Sequence, residues 1–248
     1  MVSDAVQWLR SLVFNASMYV AMAVMAVALA PLVLVNGDRA FSAVHLYCRY
    51  VRWSAAWMVG LRSEVRGEVP TDEVLIASKH QSFLDIILIV SVVPRPKFIM
   101  KKELLRAPFL GWYAKRIGCV PVDRGKRGQA VDKMLRDVNA GRLRPGQLII
   151  YPQGTRVEPG LPRPYKIGTA VLYAQLGQPC VPAATNVGVF WPRNGVLRRP
   201  GLAVVEFLPR IAAGLPQGEF MQHLEREIEG ASDALMREAG FRLADARG

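Results

Sequence analysis

The chain has only three cysteines (Cys48, Cys119 and Cys180) and three histidines (His45, His80 and His223) in 248 residues. An odd cysteine count without a CxxC spacing offers no disulfide framework or structural zinc set. A reducing, cytoplasm-facing compartment is the expected setting. Three scattered histidines leave little for a multi-histidine metal site. Serine runs out early, since beyond Ser91 only Ser232 remains. GxSxG, Walker A, GxGxxG and HExxH patterns are missing, so serine hydrolase, NTPase, dinucleotide and zincin readings find no support. Acidic residues are few, 20 against 32 Lys and Arg, for a formal charge of +12. No internal repeat or low-complexity tract breaks the chain.

What is present is apolar residue, 51% of the sequence, which excludes a disordered chain. Strong positive charge with high apolar content predicts a protein that meets an anionic surface while burying much apolar area. From Ser11 to Asn36 no residue is charged. About 20 apolar residues cross a bilayer, so this run is long enough to span one or to dip into one leaflet. Only Arg10 precedes it closely and no clean cleavage site follows, unlike a signal peptide. Pro31 is expected to kink or end the helix. The next segment, Asp38 to Leu61, mixes Arg39, Arg49 and Arg52 with Phe41, Tyr47, Tyr50, Trp53 and Trp57. Arginines among aromatics suit a headgroup-level helix or the return arm of a helical hairpin. Membrane phosphate is then a simpler anion than nucleic acid, and no nucleic-acid partner is expected.

After Arg62 the texture changes to strand-helix alternation. Residues 73–78, 97–100, 119–122, 147–151, 180–187 and 202–208 read as short strands rich in apolar residues. Residues 83–93, 103–117, 128–140, 165–176 and 217–239 read as helices. The predicted fold is α/β, with a mixed or largely parallel sheet flanked by helices behind an N-terminal hydrophobic helical segment or hairpin. The division expected is residues 1–61, a membrane-associated helical segment, and 62–248, an α/β domain.

Four local patterns could carry chemistry. At 78–85, SKHQSFLD puts His80 at a strand end with Asp85 five residues on. A neutral imidazole can remove a hydroxyl proton, and a carboxylate on its other nitrogen would fix the tautomer. Ser82 and Asp85 also fit a capping box, and the two roles are compatible. At 101–111, KKELLRAPFLG lies in a basic stretch that suits either a solvated face or phosphate. At 151–156, YPQGTR forms a turn whose Gly154 exposes backbone N–H groups and whose Arg156 can grip an oxyanion; an ordinary surface turn would read the same. At 181–184, VPAA is a small-residue strand whose proline suggests an edge or a cavity wall.

In this order, HxxxxD, KxExxxxPxxG (Lys101, Glu103, Pro108, Gly111), PxGTR and VPxA resemble the glycerolipid acyltransferases, specifically the membrane-bound 1-acylglycerol-3-phosphate acyltransferases that make phosphatidic acid. The resemblance runs from about Arg62 to Val187. It implies His80 as general base and Asp85 as its orienting partner. It implies Lys101, Glu103, Arg124, Gln153, Gly154, Thr155 and Arg156 as substrate-binding residues, the cations on the acceptor phosphate. Phe109, Trp112, Val181 and Pro182 would wall the acyl site. The implied partners are a lysophospholipid, an acyl thioester (acyl-CoA or acyl carrier protein) and the bilayer, with no metal or other cofactor. One residue departs from the pattern: the family turn usually reads PEGTR, and here Gln153 replaces the glutamate. That leaves another lysolipid acceptor open, beside a non-catalytic membrane-anchored anionic-lipid-binding module.

Overall fold

A computed structural model describes residues 3–122 and 145–243. Arg124 and the helix expected over 128–140 lie outside the described residues. The charge-free run forms α1 (Asp4–Val35), with Asp4 in the first turn where the helix dipole favours a carboxylate. Pro31 does not end it; the helix continues to Val35. Asn36–Asp38 turns the chain back into α2 (Arg39–Val59), which packs along α1 as the second arm of a hairpin. Gly60, in the left-handed region at φ 71°, closes α2 and feeds the first strand.

The strands are β1 (Leu61–Arg66), β2 (Leu75–Ser78), β3 (Pro96–Lys101), β4 (Val120–Val122), β5 (Gln147–Ile150), β6 (Cys180–Thr185) and β7 (Gly201–Phe207). They form one sheet in the order β1-β7-β6-β2-β5-β3-β4. The run from β6 to β4 is parallel, while β7 is antiparallel to β6 and carries β1 parallel to itself. The sheet is therefore mixed and mostly parallel, as expected. The helices are α3 (Leu84–Val92), α4 (Leu110–Ile117), α5 (Gly168–Leu176) and α6 (Gln217–Glu238).

Strand alternation sends successive side chains of β2 to opposite faces. Ile76 joins Val181, Leu88, Val51, Phe14 and Met18, so the N-terminal helices and α3 share one core with the sheet. Leu75 joins Leu148, Tyr173, Phe220 and Leu224 on the other face, under α5 and α6.

Three expectations need correction. Strand β1 was not expected: LRSEVR is too charged to read as a strand, yet as an edge strand it exposes its charges to water. The single helix expected over 103–117 is broken into a 3₁₀ turn (Lys102–Arg106) and α4. Pro108 holds Ala107 extended, and Phe109 follows at φ 60°. Finally, β6 is no edge strand despite Pro182, because it lies between β2 and β7. Its pairing with β7 begins at Ala183, so the missing N–H of Pro182 falls outside that ladder, while its carbonyl accepts the Leu208 N–H at 2.9 Å.

Candidate active site

Strand β2 ends at Ser78, and Lys79 still donates its N–H to the Ala183 carbonyl before the chain turns. That places His80 just beyond the carboxyl end of the central strand, where open α/β sheets present ligands. Two residues later Ser82 accepts the Leu84 N–H at 2.9 Å and starts α3. Asp85 in the first turn is fully buried. Its Oδ2 accepts N–H groups of Gln81 and Ser82, each at 2.9 Å, and its Oδ1 lies 2.9 Å from His80 Nδ1. The carboxylate thus holds the loop and the imidazole at once, and the helix-start and orienting roles coexist. With only acceptors facing Nδ1, that nitrogen carries the proton and Nε2 is left as the basic one.

The His80 ring is clamped from one side by Tyr151 at the end of β5, with centroids 3.9 Å apart and planes 20° from parallel. Burial holds the Tyr151 phenol well above its usual range, and the nearby Asp85 carboxylate pushes the same way, so it stays un-ionised. Its hydroxyl has no hydrogen-bond partner in good geometry.

His80, Tyr151 and Lys101 line a cavity of about 250 Å³ whose remaining walls are largely apolar. Those walls include Met22, Met25 and Leu29 of α1, Ile86 and Val90 of α3, and Ile117 of α4. Leu104, Phe109 and Leu110 both line the cavity and stay 37–41% exposed, which marks the 102–110 segment as its mouth. Gly111 makes the sharp bend there possible, since a Cβ would lie 2.1 Å from the Leu105 carbonyl oxygen.

The other expected residues separate. Phe109 is on the cavity wall, but Trp112, Val181 and Pro182 are not among its lining. Trp112 instead stacks under the Arg116 guanidinium, 3.3 Å from its ring centre, and Val181 is sheet core. Lys101 reaches the cavity and pairs with Glu103 at 3.3 Å, an exposed pair. Gln153 is 1% exposed and turns toward α6, 3.5 Å from Glu229 Oε1. The turn itself stays beside the histidine, because Val157 N–H donates to the His80 carbonyl at 2.8 Å.

Two cations at this turn escape sequence reading. Arg156 donates to the Arg193 carbonyl at 3.0 Å and Arg193 returns the bond at 3.1 Å, so the two arginines are latched side by side. Lys166 packs its ammonium against bare Gly154, where a Cβ would sit 2.5 Å from Nζ; Gly154 also needs φ 70°. Arg193 and Lys166 come from segments 37 and 10 residues beyond Arg156, and no spacing in the sequence signals either.

Residues 62–186, half the chain, match the acyltransferase family. The chain belongs to that family. Its α3 start and turn supply the HxxxxD and PxGTR residues of this acyltransferase. Among curated relatives, the 1-acyl-sn-glycerol-3-phosphate acyltransferase of Pseudomonas aeruginosa is 29% identical over 172 residues, 68% of this chain and 67% of that protein. That of Saccharomyces cerevisiae is 29% identical over 192 residues, 74% of this chain and 63% of that protein. The mouse alpha enzyme is 29% identical over 164 residues, 64% of this chain and 58% of that protein. The match thus spans less than two thirds of the yeast and mouse enzymes. In overall shape the acyltransferase resembles the crystal structure of the 1-acyl-sn-glycerophosphate (LPA) acyltransferase PlsC from Thermotoga maritima. The TM-score is 0.74 at 18% identity, over 96% of this chain and 99% of that one.

Proposed function

We propose that this acyltransferase moves an acyl chain from a thioester, acyl-CoA or acyl carrier protein, to the free hydroxyl of 1-acylglycerol 3-phosphate, giving phosphatidic acid. The observation that carries the reading is the His80–Asp85 pair at the lining of an apolar cavity, with latched arginines on the neighbouring turn.

The acceptor hydroxyl lies against His80 Nε2, which takes its proton as the oxygen attacks the thioester carbonyl. The imidazolium that forms is stabilised by Asp85. When the tetrahedral intermediate collapses, the C–S bond breaks and His80 returns the proton to the departing thiolate. A general base contributes typically about 10²–10⁴-fold, and holding two substrates beside it supplies more. Arg156, Arg193, Lys101 and Lys166 hold the acceptor phosphate, with Arg124 a further candidate. The apolar cavity takes an acyl chain that enters past Phe109. Residues 1–61 keep the mouth at the bilayer surface, with the active site facing the cytoplasm. Since Gln153 turns to α6, its departure from the family turn gives no reason to change the acceptor headgroup.

Thioester turnover by the purified protein against a panel of lysolipids tests this. Lysophosphatidic acid should give a kcat/KM at least about tenfold above lysophosphatidylcholine, and Arg156→Ala should raise its KM with little change in thioester KM. Preference for the zwitterionic acceptor, with Arg156→Ala silent, would refute the substrate assignment.

A further inference from the structure

Behind the active site lies a polar cluster that the proposed chemistry does not use. The side chain of Lys79, the residue before His80, is 3% exposed, and its ammonium pairs with Glu229 of α6. The other oxygen of the same carboxylate accepts from Tyr165 Oη at 2.8 Å and meets Gln153 Nε2 at 3.5 Å. Gln153 also reaches the Arg163 carbonyl at 3.4 Å, while its own Oε1 is buried without a partner. Asp233, one turn along α6, is held above its usual range by burial first and then by Glu229, with Arg237 and Lys79 opposing. Burial pushes the Tyr165 phenol up, helped by Glu229 and Glu225, so it remains a donor. One carboxylate therefore ties together three segments: the strand end before His80, the turn that carries Arg156, and α6. Helix α6 lies beyond the residues that match the family.

We propose that Glu229 is a positioning residue for the reaction, and that its charge is the reason an uncharged glutamine stands at 153. A buried ammonium needs one counter-charge within reach, and Glu229 supplies it from α6. A glutamate at 153 would put a second carboxylate about where the Gln153 amide now sits, against Glu229, with Asp233 one turn along the same helix. A buried carboxylate at 153 beside the half-buried Glu229 resists joint ionisation with it, so one would hold a proton at low pH and both would repel as pH rises. The turn with Gly154 and Arg156 would then be pushed from the histidine.

The inference rests on the proposed acceptor phosphate at Arg156, so wild-type turnover of lysophosphatidic acid is measured first; no transfer to it would overturn that reading and this role together. Full-length wild type, Gln153→Glu, Glu229→Gln, the double variant and Tyr165→Phe are then compared in neutral detergent from pH 6 to 9. For Gln153→Glu, acceptor KM relative to wild type should climb by about tenfold across the range while kcat changes little, because the penalty grows as the second carboxylate loses its proton. Glu229→Gln should raise acceptor KM at every pH. The double variant restores one charge and should recover most of the loss with a flat profile. Tyr165→Phe, which removes a donor but no charge, should shift KM about two- to threefold without pH dependence. A flat, wild-type-like Gln153→Glu profile overturns the proposal, as does a double variant no better than its parents. Loss of thermal stability alone, with acceptor KM unmoved, would reduce Glu229 to a structural residue and overturn it equally. If Glu229→Gln fails to fold, the Gln153→Glu profile decides.

Discussion

At His80 the geometry leaves one nitrogen for chemistry: Nδ1 is held by Asp85 and the ring is stacked on Tyr151. His80→Ala should cut kcat by at least about 10²-fold with folding and membrane binding intact, and residual activity above about a tenth would refute the general base. Asp85→Asn separates two roles of one carboxylate. Losing only the helix-start contacts would cost about 1 kcal/mol in stability. A fall in kcat well beyond tenfold, measured beside that stability change, identifies orientation of the imidazole; a stability change alone would leave Asp85 a cap. These two residues were legible in the sequence because a five-residue spacing spans one strand end and one helix start. Arg193, Lys166 and Glu229 were not, since each reaches the turn only through tertiary folding. Gln153 was noticed for its chemistry, but its contact with Glu229, 76 residues away, leaves no mark in the local sequence.

Among the elements, the alternation of short apolar runs with helices was enough for the α/β class, and six of the strands fall where β-branched and apolar runs predict them. At the break in the helix expected over 103–117, a neighbouring backbone acts beside Pro108. The 102–117 segment has helical composition, yet Gly111 lies so close to the Leu105 carbonyl that the chain must fold back there. Gly111→Ala should therefore open the cavity mouth, costing about 1–3 kcal/mol as an overpacked site and lowering kcat/KM for long-chain donors. Gly177→Ala is the control: it sits at φ 60° but meets nothing within 4 Å, so only backbone strain follows and activity should hold. Equal activity of the two variants, read by thermal unfolding and thioester turnover, would show that the bend is not needed for the mouth.

Among the described residues, most of the exposed large apolar side chains belong to the two N-terminal helices. In its most apolar 18-residue window, α1 is only 11% buried, unlike the core helix of a soluble domain. Trp53 and Trp57 of α2 are 62% and 72% exposed and stacked on each other, and Leu104, Phe109 and Leu110 extend apolar surface to the cavity mouth. Meanwhile Phe14 and Met18 anchor α1 into the sheet's own core, and Gln7 donates to the Val59 and Arg198 carbonyls, so the helix is no loose tether. A Leu or Val carried fully from water to apolar surroundings gains about 1.5–3 kcal/mol, whereas a basic residue near an anionic surface gains about 1. Apolar attachment should consequently dominate despite the +12 charge. Washing membranes with about 1 M salt, where the Debye length is about 3 Å, should leave the protein bound, and neutral detergent should release it. Substituting Val20, Val24 and Val27, which are 60–63% exposed, with serine should weaken vesicle binding while thioester turnover in detergent persists. Release by salt alone would make the attachment electrostatic, and basic side chains rather than α1 would then hold the enzyme at the bilayer.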